Sequence, residues 1–130
     1  ISDEVILEMT RRGLRIRKSN ILILGITFKE NCPDLRNSKV IDLITNLERF
    51  LINCTVVDPL CKINEENLKY QLNIYRDIPN NKKFDAIIIA VKHEQFFTMD
   101  EKYLSKFLSK NGVIFDLKGI LKKSQIVVRL

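Results

Sequence analysis

With 130 residues, 45% of them hydrophobic, and a formal net charge of +6, the chain is long enough for one core and too short for two comfortable ones. No apolar run approaches the roughly 18 residues that span a bilayer, and the mixed acids, bases and apolar residues of positions 1–18 do not form a signal peptide, so a cytoplasmic protein with no membrane partner is expected. Cys32, Cys54 and Cys61 lack both zinc-knuckle spacing and the density of a disulfide scaffold, which points to reduced thiols and no metal site.

Val5, Ile6 and Met9 recur at helical spacing among charged neighbours, as in the end of a helix that begins elsewhere. The basic RIRKSN segment at 15–20 leads into Ile21-Leu22-Ile23-Leu24 and Gly25, a short run that reads as a buried strand. From Val40, residues Leu43, Ile44, Leu47 and Leu51 follow one helix face, with Asp42, Asn46 and Arg49 opposite and Asn37 or Ser38 placed to cap. Cys54 to Asp58 is β-rich and stopped by Pro59; residues 63–71 fit a short helix, and Asn73 to Arg76 extends again. A buried strand is expected over Phe84 to Val91, a crossover helix over 100–108, a further strand at Val113 to Asp116 after Gly112, and a weaker one at Gln125 to Arg129. Residues 79–83 read as a surface loop rather than a domain boundary. This alternation predicts an α/β fold with three layers: a Rossmann-like, open, mainly parallel sheet with helices on both faces.

Ligands of such sheets bind beyond the carboxyl ends of the strands, so residues 25–38, which join the first strand to the next helix, are the expected ligand edge. They contain neither GxGxxG nor a P-loop, and the usual cradle for a dinucleotide pyrophosphate is therefore missing. They offer instead Lys29 and Arg36, cations suited to phosphate or sugar oxygens, with Asp34 able to orient Arg36. Composition alone favours a solvated loop whose lysine and arginine keep the surface soluble.

The order Gly25-x-x-Phe28-Lys29, Asp34-x-Arg36 and Ser38 between strand and helix resembles the UDP-glucose/GDP-mannose dehydrogenase family. So do Val56-Val57-Asp58-Pro59, Asp85 to Val91 and Ile114 to Gly119, and the agreement covers nearly all of residues 15–121. The wording from Thr27 to Arg36 is similar to bacterial enzymes that oxidise UDP-N-acetylhexosamines for surface polysaccharides such as capsule and O-antigen. The resemblance implies that residues 1–18 end a connecting helix and linker, and that 19–130 form the carboxy-terminal UDP-sugar-binding domain. The parent would be a homodimeric enzyme that uses NAD to oxidise a C6 alcohol to a carboxylate, and this chain would be inactive alone. By position, Phe28 and Lys29 would contact the UDP-sugar and Arg36 would reach NAD held by the amino-terminal domain. Lys118 would replace the arginine that many members carry in the late turn.

The family's catalytic cysteine lies in its middle region, so the resemblance makes Cys32 no nucleophile and leaves this chain without a catalytic residue. His93, the one histidine, stands at the ligand edge of its strand and is read as a loop histidine without catalytic duty; Asp58 is read as an Asp-Pro turn. Two further readings stay open. One is a small basic nucleic-acid-binding α/β domain, motivated by net charge and the stretch Arg11 to Lys18 but lacking RNP-like aromatics or a recognition helix. The other is an interaction domain that keeps the fold and has lost the ligand.

Overall fold

A computed structural model describes residues 1–62 and 72–130. In chain order it contains α1 (Ser2–Arg11), β1 (Asn20–Leu24), α2 (Lys39–Glu48), β2 (Asn53–Val57), β3 (Ile74–Tyr75), β4 (Phe84–Ile89), a 3-10 turn (Glu94–Phe96), α3 (Glu101–Ser105), β5 (Leu108–Asp116) and β6 (Val127–Val128). The helix expected over 63–71 lies outside the described residues.

The strands form one sheet in the order β3-β2-β1-β4-β5-β6, and every pairing is parallel. Period-2 alternation sends neighbouring side chains to opposite faces. Ile21 and Ile23 join Val56, Ala86, Ile88 and Phe115 in a core that also holds Val5 and Met9 of α1 and Ile41, Ile44 and Leu47 of α2. Leu22 and Leu24 join Val57, Ile87, Ile89 and Ile114 in a second core, closed by Phe96 and Leu104. Both faces of β1 are thus covered, which is why a strand with no polar alternation is stable there, and the expected layered architecture is present.

Four local expectations need correction. Leu51 does not continue the apolar face of α2. The backbone turns through the left-handed region at that residue, its N–H donates to Glu48 O and its carbonyl accepts from Lys18 N–H. Leu51 is left 57% exposed while Ile52 enters the core. The helix expected over 100–108 spans only Glu101–Ser105, because the carbonyl of Phe107 is taken by the N–H of Phe84 at 2.7 Å and the chain has already joined the sheet. Consequently β5 begins at Leu108, Gly112 lies inside it, and the register slips between Phe84 paired with Leu108 and Ala86 paired with Val113. Asp85 holds this bulge by accepting from Ser109 Oγ at 2.7 Å and from Asn20 N–H at 2.9 Å. The last strand is shorter than the segment Gln125 to Arg129 and is limited to Val127–Val128.

Candidate functional site

The strand order reverses between β1 and β4, the topological switch point at which open α/β sheets place their ligands. The loop from β1 to α2 leaves this point at Gly25. Its φ is +92° and a Cβ there would stand 2.6 Å from Val91 Cβ, so only glycine allows this close approach to the end of β4. The loop ends at Ser38, the N-cap of α2, which accepts from Val40 N–H at 3.2 Å and donates to the carbonyl of Ile26. One hydroxyl therefore caps the helix and closes the loop.

Phe28, Lys29 and Lys118 line one cleft of about 350 Å³ together with Lys39, Glu30, Asn37, Thr27, Val40, Ala90 and Val91. The lining sets three apolar residues, Val40, Ala90 and Val91, beside three lysines against one glutamate, a balance that favours an anion. Phe28 is 54% exposed, an aromatic face presented outward rather than packed in the core. Lys118 reaches the cleft from the turn after β5, where the buried Asp116 carboxylate accepts from the N–H groups of Lys118, Gly119 and Leu121 at 3.2, 2.8 and 2.6 Å. Arg36 is not among the lining residues. It lies farther along the loop in an ion pair with Asp34, Nη2 to Oδ2 at 3.1 Å and Nε to Oδ1 at 3.1 Å, and the Arg36 guanidinium holds the Asp34 carboxyl below the usual carboxylate range. The expected orienting role of Asp34 is thus present, whereas the predicted ligand residues separate into a cleft group and an outlying arginine.

Lys39 was missed by sequence reasoning, although it directly follows the recognised cap. A more consequential miss lies beneath the loop. Asp58 and His93 are both 0% exposed, and their Oδ2 and Nε2 atoms are 2.9 Å apart. Asp58 Oδ2 also accepts from Ile26 N–H at 2.8 Å and Thr27 N–H at 3.3 Å, and Oδ1 accepts from Leu60 and Cys61 N–H at 2.8 and 2.9 Å. Burial acts to raise the Asp58 carboxyl, but the hydrogen bonds from His93, Ile26 and Leu60 outweigh it and hold the group below its ordinary value. Asp58 is therefore more than an Asp-Pro turn, and His93 is built into the buried support of the loop. The available signals were an apolar strand ending in Asp and another followed by His, both at the ligand edge; neither specified a partner so distant in sequence.

Cys61 is buried. Burial, with the neighbouring Glu48 charge, pushes the Cys54 thiol up to about 12. Among the described residues no group of histidine, cysteine and acidic side chains has metal-binding geometry, and no helix is long and apolar enough to cross a membrane. The nucleic-acid reading gains no support: within its basic stretch, Arg11 and Arg12 both pair with Glu8, at 3.7 and 3.1 Å.

A UDP-N-acetyl-D-glucosamine 6-dehydrogenase of Salmonella typhi is 35% identical over 130 residues, which cover 100% of this chain and 30% of that protein. Protein CapL of Staphylococcus aureus is 35% identical over 128 residues, 98% of this chain and 30% of its own length. The chain therefore spans about 30% of the curated relatives it matches. Among solved structures, an NDP-N-acetyl-D-galactosaminuronic acid dehydrogenase of Methanosarcina mazei Go1 superposes with a TM-score of 0.82 at 18% identity, over 97% of this chain and 27% of that one; this shows the shared fold. Residues 22–123 match the model of the UDP-glucose/GDP-mannose dehydrogenase family, UDP binding domain, and the chain belongs to that family.

Proposed function

We propose that this chain is the UDP-sugar-binding part of a longer, NAD-dependent nucleotide-sugar 6-dehydrogenase, which oxidises the C6 alcohol of a UDP-N-acetylhexosamine to a carboxylate for surface-polysaccharide precursors. The observation that carries the reading is the convergence of Phe28, Lys29 and Lys118 on one basic cleft at the switch point, in a chain that matches a UDP binding domain. Lys29 and Lys118, with Lys39 beside them, supply charge-assisted hydrogen bonds to the phosphate and sugar oxygens, and Phe28 offers an apolar face at the rim. In the full-length protein, a cytoplasmic homodimer, residues 1–18 connect this domain to the middle region. No nucleic acid, membrane or metal takes part.

The chain's own switch-point crevice does not fit a dinucleotide. Val91 fills the space over Gly25, and both oxygens of Asp58, which stands where an acid would meet a ribose, are committed to interior donors. NAD therefore belongs to another domain of the longer protein, where it supplies the hydride acceptor, and Arg36 is the residue assigned to reach it. Nor does the chain supply the thiol on which a two-step oxidation depends. Cys61 is buried, the Cys54 thiol is held in its neutral form, and the family resemblance places the catalytic cysteine in the middle region rather than at Cys32. The domain's work is recognition and orientation, and the isolated chain is expected to bind without oxidising.

Isothermal titration with UDP, a UDP-N-acetylhexosamine and a short polynucleotide tests this reading. Selective binding of the uridine ligands, weakened about tenfold by Lys29→Ala through the loss of one charge-assisted hydrogen bond, is the expected result. Polynucleotide binding without uridine-nucleotide binding would overturn it.

A further inference from the structure

We infer that His93 is a positioning residue for the ligand loop: its neutral imidazole ties Thr27 and Asn31 together from below, and so sets the direction in which Phe28 and Lys29 project. The inference rests on the binding role proposed above for that loop. The backbone N–H of Asn31 donates to Nδ1 at 3.0 Å, which requires a lone pair on Nδ1 and places the ring proton on Nε2. Nε2–H then faces Asp58 Oδ2 at 2.9 Å and Thr27 Oγ1 at 3.1 Å. The Thr27 hydroxyl is free to accept because its own proton goes to the carbonyl of Lys29 at 3.0 Å. One imidazole thus bonds both residues that bracket Phe28, Lys29 and Glu30.

The surrounding contacts fit this purpose. Asn31 has a φ of +57°, a left-handed turn that asparagine tolerates better than most residues with a side chain. It is held from two directions, since its Oδ1 also accepts from Glu94 N–H at 3.0 Å. Across the loop, Phe28 N–H donates to the carbonyl of Asp34 at 2.7 Å. The bracketed residues are exposed while Thr27, Asp58 and His93 are buried, so the polar network lies under the ligand surface and does not compete with it for hydrogen bonds. The parallel pairings of β1 with β2 and β4 run from Asn20 to Leu24 and stop short of the loop. The sheet therefore leaves the orientation of residues 28–30 to the bonds beneath them. Preorganisation of this kind lowers the ordering cost of binding.

Two substitutions divide the ring's functions. His93→Gln can keep a donor toward Asp58 but has no acceptor at the Nδ1 position; His93→Asn can keep that acceptor for Asn31 N–H but loses the donor. Thr27→Val removes the other attachment and leaves the Asp58–His93 pair in place, which keeps the test available if either histidine variant fails to fold. In the folded wild-type chain, nitrogen NMR should show an unprotonated Nδ1 and a protonated Nε2. His93→Gln should raise the exchange rate of the Asn31 amide about tenfold and weaken UDP binding by a similar factor, the loss of one partly buried hydrogen bond. His93→Asn should retain more Asn31 protection than His93→Gln, and Thr27→Val should weaken UDP binding while leaving Asn31 protected. A protonated Nδ1 would overturn the inference. So would folded variants that bind UDP as tightly as wild type with unchanged Asn31 exchange. Wild-type chain that fails to bind UDP while the Asn31 pattern holds would sink the binding reading and the ligand role of the staple with it, and would leave the tie itself standing.

Discussion

Two buried aspartates stand at the carboxyl ends of strands, Asp58 just after β2 and Asp116 as the last residue of β5, and each organises the chain that follows by accepting backbone N–H groups. Asp116 acts locally: its donors are Lys118, Gly119 and Leu121, all within a few residues. Asp58 does the same for Leu60 and Cys61, but its second oxygen reaches Ile26 and Thr27 across the switch point and His93 beyond β4. One carboxylate shapes a turn; the other joins three loops into a floor. The difference shows how one residue type, in one position of the strand-loop pattern, acquires either a local or an integrating role according to which strand ends the sheet sets beside it.

Removing the two carboxylates should separate these roles. Asp58→Ala leaves a buried histidine and four interior N–H groups without their acceptor and is expected to cost about 3–5 kcal/mol in urea denaturation, with exchange protection lost in the segments around Ile26, Cys61 and His93 together. Asp116→Ala should cost less, about 2 kcal/mol. Lys118 and Gly119 are exposed, so their N–H groups can turn to water, and the lost protection should stay within residues 117–121. Equal losses, or an Asp116→Ala effect that spreads to the β1–α2 loop, would erase the distinction.

The smallest and most selective test is acid titration of stability. The folded-state value of Asp58 lies below its ordinary one. Its contribution is therefore fully present above the unfolded value, about pH 4, and is lost as pH falls through the lower folded value. In Asp58→Asn this part of the acid limb should be absent, giving a flatter stability curve below about pH 4. An unchanged acid limb would mean that the Asp58 charge contributes little to holding the floor together.

Much of this was legible in the sequence because it depends on neighbours. The four apolar residues of β1 and the face of α2 from Val40 to Leu47 follow from local periodicity and stand where expected, and of the two candidate caps, Asn37 and Ser38, the structure uses Ser38. The cleft residues Phe28 and Lys29 were legible through their place on the ligand edge and through a family resemblance, not through periodicity. Errors occurred where a distant strand outweighed a local preference. Phe107 and Leu108 have helical spacing behind Leu104, but Phe84 needs a partner for its backbone N–H, and the sheet takes them.

The sequence by itself determined the parallel α/β architecture, the ligand edge and the absence of a dinucleotide fingerprint, because these depend on apolar period, strand-loop order and the positions of glycine. Only the tertiary structure decided that Asp58 and His93 meet under the loop, that Lys39 and Lys118 reach one cleft with Lys29, and that Arg36 stands apart from it. The physical reason is strand order. Ile21 pairs with both Cys54 and Ala86, which brings the ends of β2 and β4 to either side of the loop leaving β1, and residues far apart in the chain become hydrogen-bond partners only once that sheet has formed.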